Sequence, residues 1–149
     1  MSEVREGGCR CGRVRFAISA PPMLTMACHC VGCQRMTGGP YSVSEVIPGA
    51  GFEVTAGEPV IGGLHGEVQH YHCGYCMSWV FTRPPTPMPM VNVRATMLDD
   101  ARGFEPYVEM CTDEMLPWAK TPAVKSYPAF PPNEDWPQLI TAYMQRAGG

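Results

Sequence analysis

Seven of the eight cysteines in this 149-residue chain fall into three tight groups, Cys9-Arg-Cys11, Cys28-His-Cys30-x2-Cys33 and Cys73-x2-Cys76, with Cys111 standing apart. Sulfur spaced in this way constrains the fold more than any other feature. Side chains two apart on an extended backbone point the same way, so Cys9 and Cys11 offer two thiolates to one point. A C-x2-C turn does the same. Four sulfurs at about 2.3 Å from one ion make a tetrahedral site whose usual occupant is zinc. Disulfides fit less well. The opening Met-Ser-Glu-Val-Arg-Glu-Gly-Gly has no apolar stretch of a secretory signal, and a chain of this length does not depend on disulfide staples. A thioredoxin-type use of Cys73 and Cys76 would follow a strand and open a helix, whereas Met77-Ser-Trp-Val-Phe-Thr82 reads as a strand.

Seven thiolates exceed one tetrahedral site and fall one short of two. Cys28, Cys30 and Cys33 can close on one ion locally. Three protein ligands with an open fourth position are the layout of a catalytic zinc, and four closed ligands mark a structural one. In that allocation Cys9, Cys11, Cys73 and Cys76 form a structural site joining distant parts of the chain. In the alternative, members of the middle group pair with Cys73 and Cys76 in an ordinary structural site and leave the rest as free thiols. Spacing leaves both open, because ligand number fixes geometry but not partner choice.

The rest of the chain reads as one mainly-β domain, 1–149, with a formal charge of -3. Val14, Phe16 and Ile18 alternate with Arg13, Arg15 and Ala17 as in a half-buried strand. Short strand-like segments follow near residues 41–46, 52–55, 59–61, 67–72, 79–82, 90–93 and 107–112, broken by many of the 16 glycines and 16 prolines. Regular turn signals of this kind point to all-β architecture. A short helix is expected at Gly32–Met36 and another from Trp136 to Arg146, where Leu139, Ile140 and Tyr143 recur at helical spacing. Residues 117–133 read as irregular. No apolar run approaches the roughly 18 residues of a membrane span. With two lysines and an acidic balance, no nucleic-acid footprint is present. These features point to a soluble, cytoplasmic protein.

Gly7-Gly8-Cys9-Arg10-Cys11-Gly12-Arg13-Val14-Arg15-Phe16, Cys28-His29-Cys30-x2-Cys33-Gln34-Arg35-x-Thr37-Gly38 and Cys73-x2-Cys76 before Val80-Phe81 together resemble the glutathione-dependent formaldehyde-activating enzyme family, which includes the centromere protein V domain. The resemblance extends through Val91-Asn92-Val93-Arg94-Ala95 and Leu98-Asp99-Asp100 to Pro117-Trp118, covering about residues 5 to 130. It implies a zinc-stapled β-tent fold of small antiparallel sheets. It also implies a structural zinc on Cys9, Cys11, Cys73 and Cys76, and a second, catalytic zinc on Cys28, Cys30 and Cys33. This favours the open-site allocation. The chain departs from the family pattern at Met77, where many relatives have Gly, and at Glu109, in a segment where relatives often carry His.

The function expected on this basis is a carbon–sulfur lyase-class reaction on an adduct of glutathione, or another small thiol, with a small aldehyde. Cys28, Cys30 and Cys33 would carry the catalytic ion. The competing expectation is a non-catalytic, zinc-stabilised module binding a small thiol or a protein, favoured by the lack of a recognisable general base. His29 should point away from its cysteine neighbours on an extended backbone and so not ligate. His70 and His72 are expected to pack across strands or to face solvent, Cys111 to be a buried hydrophobe-like thiol, and Trp118 to pack. At least one of Arg10, Arg13, Arg15 and Arg35 is expected to meet a glutathione carboxylate, since a guanidinium fork matches that group.

Overall fold

The computed structural model describes residues 3–148. Eleven strands and two α-helices follow one another. They are β1 (Arg5–Gly8), β2 (Arg15–Ile18), β3 (Leu24–Cys28), α1 (Val31–Thr37), β4 (Ser42–Pro48), β5 (Phe52–Ala56) and β6 (Val60–Ile61). Then come β7 (Gln69–His72), β8 (Trp79–Arg83), β9 (Met90–Arg94), β10 (Val108–Met110), β11 (Lys125–Ser126) and α2 (Trp136–Gly148). The chain packs as two compact units, one from residues up to Pro22 with Glu45–Gly103, the other from Met23–Ser44 with the chain from Phe104 onward. Strand β4 contributes its first residues to the second unit and the remainder to the first.

In the first unit, β1, β2 and β5 form an antiparallel sheet with Gly7 opposite Phe16 and Phe16 opposite Val54. The alternation read from the sequence holds on β2, where Phe16 and Ile18 are fully buried and Arg15 and Ala17 are half-buried. Strands β6 to β9 pair antiparallel, with Tyr71 opposite Phe81 and Phe81 opposite Val93. The core joins Val14, Phe16, Ile18, Ile47, Phe52, Val80, Phe81, Val91 and Val93 to the sulfur of Cys9 and Cys73. Its aromatic spine runs Phe16–Phe52–Phe81–Tyr71 with ring centroids 4.7–5.5 Å apart. Each fully buried large apolar side chain stabilises by about 1.5–3 kcal/mol. Gly7 is obligatory: a Cβ there would sit 2.3 Å from the Met97 carbonyl oxygen and 2.5 Å from the Phe16 ring.

In the second unit, β10 runs parallel to both β3 and β11, with Cys28 opposite Met110 and Val108 opposite Lys125. The fold is mainly β, built of small sheets with a C-terminal helix, as expected. The two pairings of β10 are parallel, and β10 reaches β3 after a connection long enough for a parallel crossover. The strand expected over residues 107–112 stops at Met110, since Cys111 turns into left-handed conformation (φ 60°) and Thr112–Glu114 form a 3-10 turn. Helix α2 packs on β3, with Leu139 buried and Tyr143 edge-on to Tyr107 at 5.6 Å. The expected helix at 32–36 is α1, capped by Cys30 at its start and by left-handed Gly38 at its end.

Candidate metal centres

Cys9 and Cys11 sit on a tight turn after β1. The Cys9 N–H donates to the Val14 carbonyl (3.0 Å), and Gly12, at φ 83°, donates back to the Cys9 carbonyl (3.1 Å). Cys73 and Cys76 sit on the β7–β8 turn, which the Cys73 N–H to Ser78 carbonyl bond (3.0 Å) and the Met77 N–H to Cys73 carbonyl bond (2.9 Å) close. Met77 takes φ 62° there, a conformation glycine adopts freely and other residues rarely. The two turns bring all four sulfurs within 4.8 Å of one another. The Sγ–Sγ distances are 3.6 Å between Cys9 and Cys11 and 3.7 Å between Cys11 and Cys73. These match the roughly 3.8 Å edge of a sulfur tetrahedron around zinc and far exceed the roughly 2.05 Å of a disulfide.

Backbone N–H groups already point at these sulfurs, from Val14 to Cys9 (3.3 Å) and from Tyr75 to Cys73 (3.4 Å). Hydrogen bonding by the Ser78 hydroxyl and backbone brings the Cys76 thiol down to about 5. Cys11 rises to about 11: an Arg13 backbone hydrogen bond pulls it down, but partial desolvation and the crowding of Cys9, Cys76 and Cys73 outweigh it. Clustered thiols thus resist ionising together, and a divalent cation is the group that lets all four become thiolates.

The second cluster lies in the other unit. Cys28 ends β3, Cys30 caps α1, and Cys33 lies in its first turn, with the three sulfurs within 4.8 Å of one another. Cys30 Sγ accepts the Cys33 N–H at 3.3 Å. The Gln34 side-chain Nε2 donates to the carbonyls of His29 (2.7 Å) and Glu114 (3.0 Å), which holds the loop against the 3-10 turn. The Cys28 thiol is pushed far above its ordinary range by its hydrogen bond with Cys33, by burial and by the Cys33 charge. Two cysteine clusters are therefore placed to hold metal ions, consistent with zinc.

His29 points away from both neighbouring cysteines, as the extended backbone required. It is fully buried, its Nε2 lies 2.8 Å from Glu109 Oε1, and its ring stands edge-on to Tyr41. Glu109 also accepts from Thr121 Oγ1 (3.0 Å) and Ser126 Oγ (2.6 Å). Burial pushes the Glu109 carboxyl up, but the hydrogen bonds from Ser126, His29 and Thr121 outweigh it and hold it below its ordinary value. This pairing is not legible in the sequence, because the β3–β10 register creates it. His70 packs across strands as expected, on Thr82 Oγ1 (2.9 Å) and edge-on to Trp79. Trp118 does not pack as expected: it is 71% exposed. Of the four arginines, Arg15 is engaged by Asp99 (2.9 Å) and Arg13 stacks on Tyr75 (3.6 Å to the ring centroid). Arg35, exposed on the last turn of α1, shares a unit with the three-cysteine cluster. Cys111 is buried as expected, yet in side-chain contact with Cys28.

A mainly-β scaffold with one four-cysteine and one three-cysteine cluster defines a class of small metal-stapled proteins. The family model of the glutathione-dependent formaldehyde-activating enzyme matches residues 4–114, and the chain belongs to that family. A crystal structure of a Rhodobacter sphaeroides protein, solved by structural genomics, is similar in fold, with a TM-score of 0.52 and 17% identity over 68% of this chain and 91% of that one. No curated protein sequence matches the chain. Among the described residues, no helix is long and apolar enough to cross a membrane.

Proposed function

We propose that this protein is a zinc-dependent carbon–sulfur lyase-class enzyme that interconverts glutathione, or a similar small thiol, and a small aldehyde with their S-hydroxyalkyl adduct. In the condensing direction the thiol sulfur bonds to the aldehyde carbon, and the thiol proton ends on the former carbonyl oxygen. The observation that carries this reading is the convergence of three sulfurs, Cys28, Cys30 and Cys33, in a protein whose other four-sulfur cluster is complete. Zinc held by the three would supply a Lewis acid that favours a substrate thiolate at neutral pH. Cys28, Cys30 and Cys33 hold and orient, and Arg35 is available to a glutathione carboxylate. Cys9, Cys11, Cys73 and Cys76 carry the structural ion. Eight cysteines with no disulfide among them fit a reducing, cytoplasmic setting.

A non-catalytic thiol-binding module is favoured by one observation: the sole histidine of the second unit, His29, is fully buried against Glu109 and presents no base to a ligand. NMR exchange spectroscopy on glutathione, formaldehyde and their adduct separates the two. The enzyme reading expects exchange faster than in buffer, lost in Cys30→Ser. Exchange at the buffer rate rules it out, and glutathione binding without acceleration selects the module.

A further inference from the structure

Cys111 stands apart from the three cysteine groups in the sequence and reads there as ordinary core sulfur. In the structure it is buried, but beside the three-cysteine cluster. In the parallel register, Met110 lies opposite Cys28, and the His29 N–H donates to the Met110 carbonyl at 3.0 Å, so the residue after Met110 emerges beside the cluster. There the chain leaves the sheet: the Cys111 N–H donates to the Ala129 carbonyl (3.1 Å), and its own carbonyl accepts from Glu114 (3.1 Å). The left-handed turn at Cys111 carries its thiol into side-chain contact with Cys28, the residue opposite its neighbour Met110. That thiol is 2% exposed, so water does not compete for it.

We propose that Cys111 is a fourth sulfur donor to a metal ion held by Cys28, Cys30 and Cys33, occupying in the resting protein the position that a substrate thiol takes. The first half stands on the cluster itself, and the second rests on the proposed function. Cys111 lies against Cys28 but outside the mutual 4.8 Å distance that the other three share, so it closes on the ion by a side-chain rotation. Such a donor is the most readily displaced of the four. The other three lie within 4.8 Å of one another on the end of β3 and the start of α1, whereas Cys111 comes from a separate turn after β10 and lies outside that distance. An incoming thiol exchanges sulfur for sulfur: one metal–sulfur bond breaks as another forms, and the thiol proton passes to the released Cys111 sulfur. The charge at the ion is unchanged, and no oxidant is needed.

The test uses the full chain loaded with two cobalt(II) ions per chain in place of zinc. Wild type is expected to show the sulfur-to-metal charge-transfer absorption of eight thiolates. Cys111→Ala should show that of seven and hold its weaker ion at least about tenfold less tightly against a competing chelator, by analogy with the 10–100-fold losses seen for milder changes around metal sites. Cys111→Gly, which suits the left-handed turn, gives the same comparison should the alanine variant fold poorly. Equal absorption and equal affinity in wild type and variant would overturn the assignment and return Cys111 to a packing role. Glutathione added to the cobalt-loaded variant should restore the eighth sulfur. If it does not, the displacement half is overturned, while the proposed function is decided separately by the exchange measurement and the ligand assignment by the first comparison.

Discussion

Glu109 is where a single substitution should most clearly report how the second unit is held together. Its carboxylate is 8% exposed and takes hydrogen bonds from three side chains on three different segments, His29, Thr121 and Ser126. Removing it with Glu109→Ala leaves the fully buried His29 ring with no partner on Nε2, and its Nδ1 already has none. Orphaning one buried polar group costs about 1–3 kcal/mol, and the hydrogen bonds to a charged acceptor are themselves worth about 1.5–3 kcal/mol each before non-additivity. Ser126 is exposed and recovers water, so the expected loss is about 3 kcal/mol, not the sum. For a chain of this size that lowers Tm by about 6–12 °C. Glu109→Gln keeps the shape and one acceptor oxygen and should cost about 1–2 kcal/mol. The pH dependence supplies a second readout. Because the folded carboxyl titrates below its ordinary value, its contribution is fully present above the unfolded pKa of about 4.3 and is lost as pH falls through the folded value. Calorimetric scans of zinc-loaded wild type and Glu109→Gln should therefore differ by a constant amount from pH 7 to about 5 and converge below about 4.3. Both proteins are compared only over the pH range in which elemental analysis shows them zinc-loaded, since loss of the structural ion removes the transition itself. A glutamine variant as stable as wild type at pH 7, or a gap that widens as pH falls, would refute the reasoning.

The two cysteine clusters should respond differently to the loss of one ligand. Cys73→Ser opens a site that ties two distant turns of the first unit, and since a structural zinc contributes about 10 kcal/mol or more against a domain stability of about 5–15 kcal/mol, it should yield molten or insoluble protein. Cys30→Ser should instead lose about one zinc per chain, read by elemental analysis, with far-ultraviolet circular dichroism largely retained. Equal unfolding in both variants would show that the partition of roles is wrong. Met77→Gly removes a non-glycine residue from φ 62° and should be stabilising by up to about 1 kcal/mol in thermal scans, since a left-handed non-glycine residue is strained by about 1–3 kcal/mol and glycine's added unfolded-state entropy offsets part of the gain. A clear destabilisation would mean that the Met77 side chain makes contacts worth more than the strain.

What could be read directly in the sequence was what depends on neighbours along the chain. Alternation on β2, the α1 and α2 helices, the two-residue and three-residue cysteine spacings and the direction of His29 all follow from local backbone periodicity, which operates over a few residues. The allocation of sulfurs could not be read that way. Cys9 and Cys11 meet Cys73 and Cys76 because β1, β2 and β5 on one side and β7 and β8 on the other share a core around Phe16, Phe52 and Phe81. Spacing alone was equally compatible with a different set. The same holds for the surroundings of the second cluster. Periodicity extended the strand through Cys111 and made its thiol a core residue, whereas the left-handed turn and the parallel pairing of β10 with β3 bring it to Cys28 and bring Glu109 to His29. Contacts across some eighty residues depend on which strand edge is free to pair when β10 arrives, and that is settled by packing rather than by any local preference.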